Sequence, residues 1–197
     1  RVPDCLDGPL LAYASRTGTR RNLKALHQAG WRLLVSPSCL RTEGFTYALD
    51  NGAWSSYTQG RPFNSRAFER ALSQLGRNAD WTTLPDIVAG GHASLQLSLR
   101  WMQRVLNESP YALLAVQDGL TPDDVVPFLG KRVGIFVGGS TAWKEATLSQ
   151  WGALGRQIGC WIHVGRVNSA RRIRLCAMAG VTSFDGSSVS RFACTLP

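Results

Sequence analysis

The sequence predicts an α/β protein that folds as a compact (β/α)8 barrel of the TIM type. Short apolar runs alternate with longer amphipathic segments along the whole chain, which is the pattern of repeated βα units. Eight such apolar runs are present, the number that closes a barrel. A doubly wound open sheet is the alternative, but no GxGxxG follows the first strand. We expect residues 1–197 to form one domain, with little chain left for a last helix.

Glycine and proline mark the ends of elements in the first half of the chain. Gly30 ends the first predicted helix, and Pro85 follows the fourth predicted strand. The helix after that strand carries an apolar face formed by Leu95, Leu99, Met102 and Leu106. The pattern predicts strands at 10–14, 31–35, 45–49 and 81–84, and helices at 19–28, 65–75 and 94–106.

The second half repeats the alternation. Thr121 fits the N-cap of a helix and Pro122 its first position, so a helix begins there. The remaining strands are predicted at 111–116, 132–137, 160–164 and 181–184, the last of them ending at Asp185, and the remaining helices at 143–158 and 169–179.

Composition favours a polyanionic partner. Lys and Arg number 22 against 13 Asp and Glu, a net charge of +9, and most of the excess is arginine, whose planar guanidinium suits phosphate. No apolar run approaches the roughly 18 residues of a membrane span. The start of the chain has no signal-peptide stretch. We therefore expect a cytoplasmic protein without a membrane partner, in the bacterial host cytoplasm if a phage encodes it.

The sequence lacks the motifs that several classes of catalytic or metal site require. The five cysteines form no CxxC or CxC, so we expect buried free thiols, no metal and no cofactor. The three histidines are scattered, and none has an obvious serine or cysteine partner for a triad. A GxxxxGK[ST] phosphate loop is also missing from the sequence.

Reactive side chains follow the predicted strands, where the active sites of such barrels lie. Two carboxylates at one mouth can serve as nucleophile and general acid/base in glycosidic-bond chemistry. Singly, each could be only a helix cap or a turn residue. Trp54 offers a flat surface, and the backbone of a glycine pair can approach a ligand closely, so the set suits a planar base. The residues are Asp50, Asp86, Gln117, Gly138, Gly139, His163, Arg166 and Asp185.

Five blocks in this order resemble the tRNA-guanine transglycosylase superfamily. They are Asp50-Asn51-Gly52-Ala53-Trp54, Asp86 with Leu97-Ser98-Leu99-Arg100-Trp101, Ala115-Val116-Gln117-Asp118-Gly119, Gly138-Gly139, and Phe184-Asp185 with Arg191. The resemblance implies that Asp185 attacks the sugar C1′ and that Asp50 transfers protons. It also implies that Asp86, Gln117 and the Gly138-Gly139 backbone read the base, with Trp54 and His163 on its faces. A 7-deazaguanine base of the preQ0 type would then replace guanine without ATP.

Departures from the tRNA enzymes favour DNA as the substrate. The Cys-x-Cys-x2-Cys zinc motif is absent and the chain is short. Its blocks are more similar to those of compact phage and bacterial-island relatives, which insert 7-deazaguanine bases into DNA; examples are Phe136-Val137-Gly138-Gly139-Ser140 and the stretch from His163 to Ser169. Exchange in tRNA and a non-catalytic nucleic-acid-binding barrel are the alternatives. The need for partner proteins is not predictable from the sequence.

Basic residues follow the first and seventh strands, which flank the eighth in a closed barrel. We expect them to hold the backbone phosphates of duplex DNA while the target nucleotide is flipped inward. Two solvated helix faces are the alternative interpretation. The candidate residues are Arg16, Arg20, Arg21, Lys24, Arg166, Arg171, Arg172 and Arg191.

Overall fold

Eight parallel strands close into a barrel in sequence order, which confirms the predicted fold. The structure is a computed structural model and describes residues 8–16 and 19–188. β8 pairs with both β7 and β1, so Asp185 lies opposite Tyr13. The strands are β1 (Leu11–Ser15), β2 (Arg32–Val35), β3 (Tyr47–Leu49), β4 (Thr82–Thr83), β5 (Ala112–Val116), β6 (Val133–Val137), β7 (Ile162–Val164) and β8 (Ser183–Gly186).

Seven α-helices surround the described part of the barrel. They are α1 (Arg20–Gln28), α2 (Ala53–Thr58), α3 (Ser65–Leu75), α4 (Gly91–Glu108), α5 (Pro122–Val125), α6 (Thr141–Ile158) and α7 (Ala170–Ala179). The predicted cap of α5 is present, as Thr121 and Asp124 form a capping box. Whether a helix follows β8 lies outside the described residues.

The sequence analysis did not predict α2. This helix has six residues, too few for a hydrophobic period to be visible. Gly52 precedes it with a φ of 82°, a left-handed conformation that favours glycine. The turn brings α2 directly over the end of β3, so Trp54 lines the mouth of the barrel.

Alternation along the strands separates two apolar layers. Side chains that point inward form one cluster, and those that point outward pack beneath the helices. At the amino end of the strands, Asp80 accepts hydrogen bonds from Tyr13 Oη at 2.7 Å and from Arg32 at 2.8 Å. The inward cluster fills the barrel below its carboxyl end and consists of Tyr13, Ala48, Trp81, Tyr111, Leu113 and Trp161.

The cysteines and the length of the helices test two further expectations. Cys160 and Cys176 are buried free thiols as predicted, while Cys39 is half-buried and also free. Cys5 and Cys194 lie outside the described residues. Among the helices of residues 8–16 and 19–188, none has the length and apolarity to cross a membrane.

Candidate active site

A cavity of about 1040 Å³ opens at the carboxyl ends of the strands. This is the end of the barrel at which chemistry was expected. The structure brings together nine of the residues singled out from the sequence: the cavity is lined by Arg16, Asp50, Trp54, Asp86, Gln117, Gly138, Gly139, Arg166 and Asp185.

Asp185 lies on the wall of this cavity within β8, one residue further into the strand than predicted. The residue is only 7% exposed. Oδ2 accepts a hydrogen bond from the backbone N–H of Arg166 at 3.2 Å, and Oδ1 lies 3.1 Å from Nε2 of His163. One hydrogen bond at each oxygen fixes the carboxylate, and each oxygen keeps a further lone pair for a ligand in the cavity.

His163 lies beneath Asp185 instead of on the face of a ligand. It is fully buried, packs against Trp81 and Phe136, and does not line the cavity. A contact with a ring face of a base, as expected from the sequence, is therefore not available to it. The cause is strand alternation, which turns His163 of β7 inward one layer below the mouth.

A hydrogen-bond chain runs from the barrel interior to Asp185. Trp161 Nε1 donates to Ser183 Oγ at 2.7 Å, and Ser183 Oγ lies 2.8 Å from Nδ1 of His163. An ionised Asp185 can only accept, so the proton of a neutral His163 belongs on Nε2 and Ser183 donates to Nδ1. Burial lowers the pKa of His163 by more than the hydrogen bond and charge of Asp185 raise it. The imidazole is thus a neutral donor.

Asp50 follows β3 and is the group best suited to proton transfer. Burial raises its pKa to about 7; the charges of Asp185 and Asp86 add to this effect, and a 3.0 Å hydrogen bond from the N–H of Gly52 opposes it. Near neutral pH this carboxyl can therefore either hold or release a proton.

Asn51 orients the third carboxylate. Its Nδ2 donates to Asp86 Oδ1 and to the carbonyl of Leu84, both at 2.7 Å, while its Oδ1 accepts from the N–H of Ala53 at 2.8 Å. Burial raises the pKa of Asp86 to about 6, against the effect of Asn51. Asp86 is therefore mostly ionised at pH 7 and can accept hydrogen bonds from a ligand.

Two serines of α4 hold the loop that carries Asp86. Ser98 donates to the carbonyl of Pro85 at 2.8 Å, and Ser94 accepts from the N–H of Ile87 at 3.0 Å. Gln117 donates from Nε2 to the carbonyl of Ile87 at 2.9 Å. This hydrogen bond fixes the amide of Gln117, which lines the same cavity as Asp86.

The Gly138-Gly139 turn offers less to a ligand than expected. The N–H of Gly138 donates to Val116 in the barrel ladder at 2.8 Å, so it is not available to a base. Gly139 has a φ of 75°, and a Cβ there would lie 2.5 Å from Asp118 Oδ2. Of the two predicted backbone donors, only the Gly139 N–H has no hydrogen-bond partner within residues 8–16 and 19–188.

Arg166 covers one side of the aromatic surface at the mouth. Its Cζ lies 4.0 Å from the centroid of the Trp54 ring, and its guanidinium donates to the carbonyl of Gly139. The Trp54 side chain is 44% exposed. The guanidinium occupies one ring face, and the Tyr57 ring lies 5.8 Å from the Trp54 ring at an interplanar angle of 31°.

The other predicted phosphate-binding residues have different surroundings. Arg16 lines the cavity and pairs with Glu43 at 2.7 Å. Arg171 and Arg172 both pair with Glu145, at 2.5 and 2.9 Å, which reduces the positive charge that they offer. Three residues of α1 are exposed: Arg20, Arg21 and Lys24. Arg191 lies outside the described residues.

Three buried polar residues near the site were not singled out from the sequence: Lys144, Thr83 and Ser183 of the hydrogen-bond chain described above. Lys144 is 5% exposed and donates from Nζ to the carbonyl of Gly165. Its place on the apolar stripe with Leu148 and Trp151 was a usable signal, because a lysine at such a position is buried. Thr83 lines the cavity, is 2% exposed, and its hydroxyl has no hydrogen-bond partner among the described residues.

Comparison with known proteins adds no assignment. The chain matches no protein-family model, and a search of curated proteins gave no match either. Within residues 8–16 and 19–188, no group of three His, Cys, Asp or Glu residues could hold a metal ion.

Proposed function

We propose that the protein exchanges a guanine-type base in a nucleic acid through a covalent aspartyl-glycosyl intermediate. The observation that carries this proposal is a pair of carboxylates in one cavity with different surroundings. Asp185 is fixed by hydrogen bonds at both oxygens. Asp50 has a pKa of about 7. A fixed anion suits nucleophilic attack, and a carboxyl that titrates near neutrality suits proton transfer.

In the first half-reaction, a carboxylate oxygen of Asp185 bonds to C1′ of the sugar as the bond from C1′ to the base nitrogen breaks. Protonated Asp50 donates its proton to the departing guanine. In the second half-reaction, Asp50 takes the N9 proton of a 7-deazaguanine base. That nitrogen then bonds to C1′ and releases Asp185. The exchange needs no water, metal or redox partner.

Recognition of the base is assigned to the oriented groups beside Asp185. The ionised Asp86 accepts from the N–H groups of guanine's Watson–Crick edge, and Gln117 and the Gly139 N–H meet its other polar atoms. Trp54, which lines the cavity with Arg166 over its ring, provides the aromatic wall beside the base. This pattern agrees with the roles that the transglycosylase resemblance implies, except at Gly138 and His163.

Duplex DNA is the proposed substrate. Asp185 and Asp50 lie in a cavity inside the barrel mouth, so a target base must leave its stack to reach them. The arginine-rich composition provides the charge for binding phosphates. The stretches from Phe136 to Ser140 and from His163 to Ser169 resemble the relatives that insert 7-deazaguanine bases into DNA.

The test is incorporation of a labelled 7-deazaguanine base into duplex DNA and into bulk tRNA, with Asp185→Ala as control. We expect the wild type to incorporate label into DNA and Asp185→Ala to incorporate none. The wild-type protein should also form a covalent adduct with DNA that survives denaturation. Label in tRNA alone would replace the DNA proposal with the tRNA one. Exchange by the variant would refute the role of Asp185, and binding without any label would favour the non-catalytic barrel.

A further inference from the structure

The peptide between Gly165 and Arg166 is hydrogen-bonded at both ends. Its N–H donates to Oδ2 of Asp185 at 3.2 Å. Its carbonyl accepts from Nζ of Lys144, which reaches it from α6. One peptide unit thus connects a buried ammonium group with the carboxylate of Asp185. Such chains of hydrogen bonds polarise each member, because the carbonyl dipole and the N–H dipole point the same way.

The backbone at this point is constrained in two ways. Arg166 has a φ of 59°, a left-handed conformation that is costly for a residue with a side chain. Gly165 has no room for a side chain, because a Cβ there would lie 2.8 Å from the ring of Phe136 and 3.5 Å from Asp185 Oδ1. The packing of Phe136 against Gly165 and the left-handed turn at Arg166 together hold the peptide between them in place.

Lys144 does not contact the cavity, so its effect on the reaction is indirect. It is 5% exposed and lies next to Cys176 and Arg172 of α7. Burial and the charge of Arg166 lower its pKa to about 8, while the charge of Asp185 raises it. A buried ammonium group is costly unless it is compensated, and the Gly165 carbonyl and the nearby Asp185 charge provide the compensation.

We propose that Lys144 is a positioning residue for the nucleophile, acting on Asp185 through the Gly165–Arg166 peptide. It orients the peptide so that the N–H faces Oδ2, and its charge strengthens that hydrogen bond. The role rests on the proposed function of Asp185. Because Lys144 does not contact the substrate, it affects formation of the covalent intermediate and leaves nucleic-acid binding unchanged.

The experiment compares Lys144→Ala with Lys131→Ala, which removes an exposed lysine two residues before β6. The rate of adduct formation is measured in a single turnover, with the Kd for DNA measured separately. We expect Lys144→Ala to slow the adduct by about 10- to 100-fold, the size of a small misplacement of a reacting group. The Kd should change by less than about twofold, and Lys131→Ala should match the wild type. An unchanged rate, or a loss shared equally by Kd, would overturn the proposal.

Chemical rescue separates charge from packing. A small void lies beside Lys144, so truncation leaves space for a small molecule. Ethylammonium should restore part of the rate in Lys144→Ala, and ethanol, of similar size but neutral, should not. Equal rescue by both would mean that Lys144 only fills space, and it would overturn the proposal. If the alanine variant does not fold, Lys144→Met replaces it in the kinetic and spectroscopic measurements.

An NMR measurement distinguishes failure of this proposal from failure of the proposed function. The amide proton of Arg166 should resonate downfield in the wild type and move upfield in both Asp185→Ala and Lys144→Ala. If this shift is seen but the wild type exchanges no base, the hydrogen-bonded chain stands and the proposed function fails. An amide proton that moves in Asp185→Ala but not in Lys144→Ala would overturn the role of Lys144.

Discussion

Replacing Asp50 with asparagine removes a carboxyl that the fold holds at a pKa of about 7, against 3.8 for the unperturbed group. Between these two values the folded protein keeps a proton that the unfolded chain has lost. The free energy of unfolding therefore falls as the pH rises through this range. About three pK units at about 1.4 kcal/mol each give an upper limit of about 4 kcal/mol. Water in the open cavity reduces this figure.

Asparagine cannot ionise, and its side-chain oxygen can still accept from the N–H of Gly52. Asp50→Asn should therefore equal the wild type in stability near pH 4 and exceed it by up to about 4 kcal/mol at pH 8. Asp123 is exposed in the first turn of α5, where a negative charge is favourable, so Asp123→Asn should not stabilise the protein at either pH. Urea unfolding of the three proteins at the two pH values gives the comparison.

The informative quantity is the difference between the two pH values for each variant. If Asp50→Asn is no more stabilising at pH 8 than at pH 4, the carboxyl is not strained by burial, and the reason for giving it the proton-transfer role is lost. A stabilised variant with slow base exchange would instead indicate that the fold tolerates a destabilising group for its chemistry.

Two further predictions concern the floor of the site. Ser183→Ala removes the donor to Nδ1 of His163, so formation of the covalent adduct should slow by about tenfold while the affinity for DNA is unchanged. Ser183→Thr keeps the hydroxyl and is the matched control in single-turnover kinetics. Equal rates in the two variants would contradict the hydrogen-bond chain. Thr83→Val should not lower the Tm in a thermal melt, because the hydroxyl has no partner among the described residues. It should weaken binding of the free base in calorimetry, because Thr83 lines the cavity and its hydroxyl is available to a ligand there. A clear loss of Tm would mean that the hydroxyl supports the fold.

The barrel was predictable because its strands are buried on both faces and appear as continuous apolar runs. The boundaries moved by a residue or two, as at β8, which begins at Ser183 instead of residue 181. The hydrophobic pattern could not reveal α2, since six residues hold less than two turns. Its position at the mouth depends on the left-handed turn at Gly52.

The gathering of Asp50, Asp86, Gln117 and Asp185 in one cavity was also predictable. Parallel strands in a closed barrel all end at the same mouth, so the residue after each strand is directed there. The ionisation of these groups was not predictable. The pKa of Asp50 depends on burial and on two carboxylates that are distant in sequence.

The sequence by itself determined the fold class, the end of the barrel that carries the polar residues, and the basic character of the protein. The tertiary structure alone decided which partners these residues have. Strand alternation in the closed barrel placed His163 beneath Asp185. The N–H of Gly138 donates to the carbonyl of Val116 within the barrel. Packing of α6 against β7 brought Lys144 to the Gly165 carbonyl. The physical reason is that a hydrogen bond needs atoms within about 3 Å, and only the folded chain brings residues so distant in sequence that close.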